Sequence, residues 1–126
     1  MLNQILLYLA AAFVGLWGVA HLFPTKNVVK GFGEISADNR NIITMEWIVE
    51  GVALIFIGVL TAVVTAIDPF SPVAKGTYYT TVFALVALAL VSLRTGFRVN
   101  FVPFKLCPVI FTAAALLIAV GACARF

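Results

Sequence analysis

Residues 47–67 read WIVEGVALIFIGVLTAVVTAI, a stretch in which Glu50 is the only charged residue. A transmembrane helix needs about 20 mostly apolar residues to cross the hydrocarbon core of a bilayer. This stretch, extended back to Asn41, therefore predicts a membrane-spanning helix that ends before Asp68 and Pro69. The carboxylate within it is unusual, because charged groups inside a membrane are costly and tend to face the protein interior.

Three further segments have the length and composition of membrane spans. The first begins near the N-terminus without Lys or Arg, and its apolar run is long for a signal core, so it is predicted to be a retained span rather than a cleaved signal peptide. Pro108 suits the first turn of the last helix. The chain is therefore predicted to be all-α, one integral membrane four-helix bundle covering residues 1–126. Its helices are expected at about 2–23, 41–67, 77–98 and 108–123.

The overall composition supports a membrane environment. Of 126 residues, 63% are hydrophobic and 10% are charged, whereas soluble domains carry about 25% charged residues. A soluble domain of this size would leave a large apolar surface in water. The lipid bilayer is therefore the predicted surrounding medium, and the lack of a dense basic run excludes nucleic acid as an expected partner.

Basic residues are concentrated in two of the predicted links, 24–40 and 94–105. By the positive-inside rule, these links face the cytoplasm. Both termini are then expected outside the cytoplasm, and a bacterial protein of this kind would lie in the inner membrane. The residues concerned are Lys26, Lys30, Arg40, Arg94, Arg98 and Lys105, against Lys75 and Arg125 on the other side.

Polar side chains of three predicted spans lie in the same half of the membrane. Glu46 and Glu50 are four residues apart and share a helical face. At helical rise from Arg40, Glu50 lies about 15 Å into the membrane, near its middle. Arg94 and Arg98 could neutralise the two acids. A polar cluster is therefore predicted near the cytoplasmic side. Its members are Glu46, Glu50, Arg94, Arg98 and His21, with Trp17 and Trp47 beside it.

The same residues have a purely structural interpretation, which stays open. Glu–Arg pairs can fix the register of packed helices, and Arg98 can extend to the lipid headgroups. His21 can simply cap the helix end or lie at the interface, while Trp17 and Trp47 can anchor their helices at the membrane interface. Small residues predict surfaces for close helix approach, at Gly15 and Gly18 of the first span and at Gly51 and Gly58 of the second.

A metal site is the weaker interpretation of the acids. His21, Glu46 and Glu50 are donors that suit iron or zinc. Two nearby arginines would compete with a cation for the carboxylates, and no ligand-spacing motif is present. No metal is predicted, and no cofactor is assigned.

Residues 50–61, EGVALIFIGVLT, resemble the stretch of acid, glycine, apolar run and Gly-x-Leu-Thr in the DoxX-like family. In the first span, Gly15, Gly18 and His21 occupy comparable places, with His21 where a lysine is more usual. The resemblance implies a small four-helix membrane protein of a family sometimes associated with quinone or thiol redox systems. It covers about the first half of the chain and does not supply a chemistry.

Three functions are compatible with these residues. The first is a binding or redox-accessory protein for a lipophilic molecule with a polar head, such as a quinone or lipid, placed near Arg94 and His21. The second is a small homodimeric transporter or proton relay that uses Glu50. The third is a membrane enzyme whose basic residues hold an anionic cosubstrate. No nucleophile–base motif is present, so no catalytic residue is assigned.

Overall fold

The computed structural model describes residues 1–123 and contains five helices in that part of the chain. Four of them are long and apolar enough to cross a membrane. This confirms the predicted all-α, multi-pass membrane bundle; Arg125, used in the charge argument, lies outside the described residues. The helices are α1 (Leu2–Leu22), α2 (Thr25–Gly31), α3 (Ala37–Ile67), α4 (Pro72–Gly96) and α5 (Val102–Cys123).

Serine caps explain why α3 and α4 begin several residues before the predicted positions. The Ser36 side chain accepts a hydrogen bond from the Asn39 amide, and the Ser71 side chain accepts one from the Ala74 amide. Such bonds satisfy amides that a helix start leaves unpaired. Pro72 follows Ser71 at the position where proline is best tolerated. The polar residues after each cap therefore belong to the helices.

The predicted start of the last helix at Pro108 is wrong. α5 begins at Val102, and Pro108 lies inside it. Pro108 has no N–H to donate to the Phe104 carbonyl one turn earlier. The Phe104 backbone is packed against Gly96 of α4, where a Cβ atom would lie 2.8 Å from the Phe104 oxygen. The additional turns of α5 bring Phe104 and Cys107 into the helical bundle.

The spans are arranged in the order α3, α1, α5, α4. Extensive contacts join α1 to α3, α1 to α5, and α4 to α5, whereas α3 and α4 make few contacts with each other. A core of apolar side chains occupies the centre. Its largest fully buried members are Leu7, Val14, Leu54, Tyr78, Leu85, Phe111 and Ile118.

Glycines allow α1 and α3 to approach closely, which confirms the prediction from sequence. A Cβ atom at Gly18 would lie 2.7 Å from the Gly51 carbonyl oxygen. A Cβ atom at Gly58 would lie 2.7 Å from the Ala11 oxygen and 2.8 Å from the Gly15 Cα atom. Both contacts involve backbone atoms, as expected where small residues bring membrane helices together.

A groove opens between α3 and α4. At one end the two helices are joined through residues 68–71, and the hydroxyl groups of Thr65 and Tyr78 are 2.9 Å apart. Over their whole length, α3 and α4 share few contacts. We call the other end, at which α1 and α4 finish and α5 begins, the basic end, because most of the basic residues lie there.

Measured along the helices, Glu50 lies close to the end of α1 at the basic end. α1 has 21 residues, so its length of about 32 Å matches the hydrocarbon core by itself. His21, in its last turn, contacts Glu50. Independently, Glu50 lies about 26 Å from the Ile67 end of α3. α3 begins at Ala37 and projects beyond α1, so a hydrocarbon core that coincides with α1 would place Glu50 nearer to the basic end than counting from Arg40 predicts.

The two cysteines provide a test of the predicted orientation. Cys123 is exposed at the end opposite to the basic end, and Cys107 is buried. If the basic end faces the cytoplasm, we expect a membrane-impermeant maleimide added to intact cells to label the protein through Cys123. Cys123→Ser should remain unlabelled even after permeabilisation, since only Cys107 is left. Labelling of the natural chain only after permeabilisation would reverse the orientation.

Candidate functional site

The site begins where α1 ends. The last carbonyl groups of a helix lack hydrogen-bond donors within it, and here side chains donate the hydrogen bonds. The Trp47 indole Nε1 donates a hydrogen bond of 2.6 Å to the His21 carbonyl oxygen, and the Thr25 hydroxyl donates one of 2.6 Å to the Leu22 carbonyl oxygen. Trp47 therefore fixes the end of α1 against α3.

Three rings form a continuous contact next to this helix end. The imidazole of His21 stacks on the Trp47 indole, with ring centroids 3.9 Å apart and planes 14° from parallel. Phe104 of α5 approaches the same indole edge-on, at 5.3 Å and 74°. Such stacked and edge-on arrangements are favourable for aromatic pairs. Trp47 is consequently 8% exposed, so it is a packing residue within the bundle rather than an interfacial anchor.

His21 and Glu50 form an ion pair when the imidazole is protonated. His21 Nε2 lies 3.3 Å from Glu50 Oε2, but the two groups are not aligned for a hydrogen bond, and Nε2 has no other hydrogen-bond partner. The His21 side chain is 4% exposed, whereas that of Glu50 is 39% exposed. Glu50 therefore reaches from the packed helix junction into the open space beside α3.

That open space is the α3–α4 groove, of about 500 Å³. Glu46 and Glu50 lie along its α3 wall, and Leu88 of α4 lies opposite. Residues of α2 and α5 complete it toward the basic end, so the predicted loop at 24–40 contributes to the site. The lining comprises Val28, Phe32, Ile42, Ile43, Glu46, Trp47, Val49, Glu50, Ala53, Leu54, Leu88 and Phe104.

The predicted pairing of the acids with arginines is not formed. Arg94 and Arg98 are exposed at the end of α4, and His21–Glu50 is the ion pair found in residues 1–123. α3 and α4 share few contacts, and the groove lies between them. The structure thus brings together His21, Trp47 and the two glutamates, but leaves the arginines outside; their role in a ligand site stays a prediction.

A smaller internal cavity of about 160 Å³ lies on the other side of Trp47. Trp17 and Cys107 contribute to its wall, and Trp47 and Phe104 line both this cavity and the groove. Trp17 Nε1 is buried without a hydrogen-bond partner. Reasoning from the sequence missed Phe104, because this residue precedes the predicted start of the last helix.

The two tryptophans provide a matched pair for measuring the hydrogen bond at the end of α1. Trp17→Phe and Trp47→Phe remove the same atoms, but only the second removes a hydrogen bond and leaves the His21 carbonyl unpaired. We expect Trp47→Phe to lower the free energy of unfolding by about 1–3 kcal/mol more than Trp17→Phe. Denaturant unfolding in micelles measures the difference. Equal losses would show that the bond contributes nothing.

Comparisons with known proteins do not extend this description. Searches with protein-family models, curated proteins and solved structures found no significant match. The DoxX-like resemblance therefore remains a prediction. No group of three or more metal-binding side chains occurs within residues 1–123. The fold and the groove define this chain as a polytopic membrane protein with an acidic cleft between two of its spans.

Proposed function

We propose that the α3–α4 groove binds an amphiphilic molecule that enters sideways from the bilayer. The observation that carries this proposal is the position of Glu46 and Glu50 on the wall of an otherwise apolar groove. Binding sites for small molecules are mostly apolar and contain a few polar groups that fix orientation. The structure supports a ligand with an aliphatic part and a polar head.

The positions of the apolar and acidic residues in the groove indicate how the ligand would be oriented. Ala53, Leu54 and Leu88 lie on the side away from the basic end and would contact the aliphatic part. Glu46 and Glu50 would contact the head, whereas the sequence-based hypothesis placed the head near Arg94 and His21. The glutamates need such a partner or water, because a carboxylate against hydrocarbon is costly.

The test measures binding of dodecanol, a single-chain amphiphile with an uncharged head, to the protein in dodecyl maltoside micelles. Trp47 lines the groove, and the chain has two tryptophans, so a Trp17→Phe background makes Trp47 the sole reporter. We expect a saturable change of Trp47 fluorescence. A change that rises linearly with dodecanol, as in protein-free micelles containing free tryptophan derivative, would contradict the proposal. Transport, catalysis and homo-oligomer formation stay predictions.

A further inference from the structure

The ionisable side chains that line the groove are all acidic. Glu46 and Glu50 are its ionisable lining residues, and none of the basic residues of the basic end contributes to the lining. Glu46 forms no ion pair within residues 1–123. A ligand head in contact with these carboxylates would therefore meet uncompensated negative charge in a medium of low dielectric constant, where charge complementarity is strongest.

The charge of Glu46 does not depend on the neighbouring histidine, which pairs with Glu50 when the imidazole is protonated. His21 lies behind Glu50, on the side of α1, and its Nε2 atom faces the carboxylate without a hydrogen bond. The histidine is nine-tenths buried, so it does not reach the ligand space. Its contact leaves the remaining carboxylate oxygen of Glu50 and both oxygens of Glu46 available to a ligand.

Aromatic side chains surround the same part of the groove. Phe32, which directly follows α2, Trp47 of α3 and Phe104 of α5 all belong to its lining. The faces of aromatic rings attract cations, and aromatic cages recognise quaternary ammonium groups. Aromatic rings and carboxylates together favour a cation over an anion, and also over a head that only donates hydrogen bonds.

We propose that the head of the amphiphile is a cation, an ammonium or quaternary ammonium group on an aliphatic chain, held between Glu46, Glu50 and the aromatic rings. The proposal rests on the proposed function and specifies its ligand class. Arg94 and Arg98, exposed outside the lining, do not oppose such a head directly.

The test compares three dodecyl amphiphiles that differ in the charge of the head: dodecyltrimethylammonium, dodecanol and dodecyl sulfate. Binding is measured by Trp47 fluorescence in the Trp17→Phe background, in uncharged dodecyl maltoside micelles. We expect the ammonium compound to bind about tenfold more tightly than dodecanol, and dodecyl sulfate to bind more weakly than either. The variant with Glu46→Gln and Glu50→Gln should lose this preference, so that its affinities for dodecyltrimethylammonium and dodecanol become similar.

Controls separate the charge effect from folding and from the proposed function. Glu34→Gln removes an exposed carboxylate outside the groove and should keep the preference. Glu46→Gln alone changes an exposed residue and should reduce the preference for the ammonium compound to half or less. This single variant provides the test if the double variant fails to fold. Equal affinities for all three compounds, or a preference unchanged in Glu46→Gln and in the double variant, would overturn the cationic head and leave the groove intact. Absence of saturable binding by any compound would overturn both proposals.

Discussion

Gly58→Ala is expected to lower the free energy of unfolding by about 1–3 kcal/mol, the usual cost of overpacking a close contact. The new methyl group would lie 2.7 Å from the Ala11 carbonyl oxygen and 2.8 Å from the Gly15 Cα atom. Backbone atoms cannot rotate away as a side chain can, so α1 and α3 must separate. Membrane helices associate mainly through such close packing, and the loss should therefore exceed the gain in helix propensity of alanine.

Gly76→Ala is the matched control, with the opposite expected sign. Gly76 lies within α4, is exposed, and has no atom within 4 Å of an added Cβ. Alanine there should raise the stability by up to about 1 kcal/mol through helix propensity alone. Unfolding by sodium dodecyl sulfate in mixed micelles measures both variants. Equal effects would contradict the α1–α3 contact described here.

Ala53→Phe is expected to weaken dodecanol binding by about tenfold or more, which corresponds to 1.4 kcal/mol. Ala53 is exposed on α3 and lies on the groove wall one turn beyond Glu50. A phenyl ring at this position occupies the space assigned to the aliphatic part of the ligand. Because the residue is not in the packed core, the fold should be retained, and the loss should appear in affinity rather than in stability.

Ala66→Phe is the control for that substitution. Ala66 is exposed on the same helix but is not part of the groove lining. It adds the same apolar ring to the lipid-facing surface, so any general effect on micelle partitioning is reproduced. We expect unchanged dodecanol affinity. A similar loss in both variants would mean that the ligand does not occupy the groove.

The sequence predicted the membrane bundle well, because hydrophobic length is a local property. The spans follow from their apolar runs. Gly18 and Gly58 were recognised as surfaces for close helix approach, and the structure shows that they bring α1 and α3 together. Among the polar residues, the spacing of Glu46 and Glu50 correctly placed both on one helical face. These features are properties of a single helix or of one pair of helices. Predicting them does not require knowing how the four spans are arranged in the bundle.

The partners of the polar residues could not be predicted in this way. The pairing of the glutamates with Arg94 and Arg98 assumed that α3 and α4 are closely packed, but they share few contacts and a groove lies between them. Phe104 was missed because the helix continues through Pro108 rather than starting there. The depth of Glu50 required the end of α1 as a reference, which only the contact with His21 provides.

Photo-crosslinking tests the occupation of the groove most directly. A dodecyl amphiphile with a diazirine at the end of its chain would be incubated with the protein in micelles and irradiated, and the modified residues would be identified by mass spectrometry. We predict modification of Ala53, Leu54 or Leu88, on the groove wall away from the basic end. Modification confined to the outer surface of α4 and α5, at residues such as Leu90 and Leu116, would contradict binding between α3 and α4.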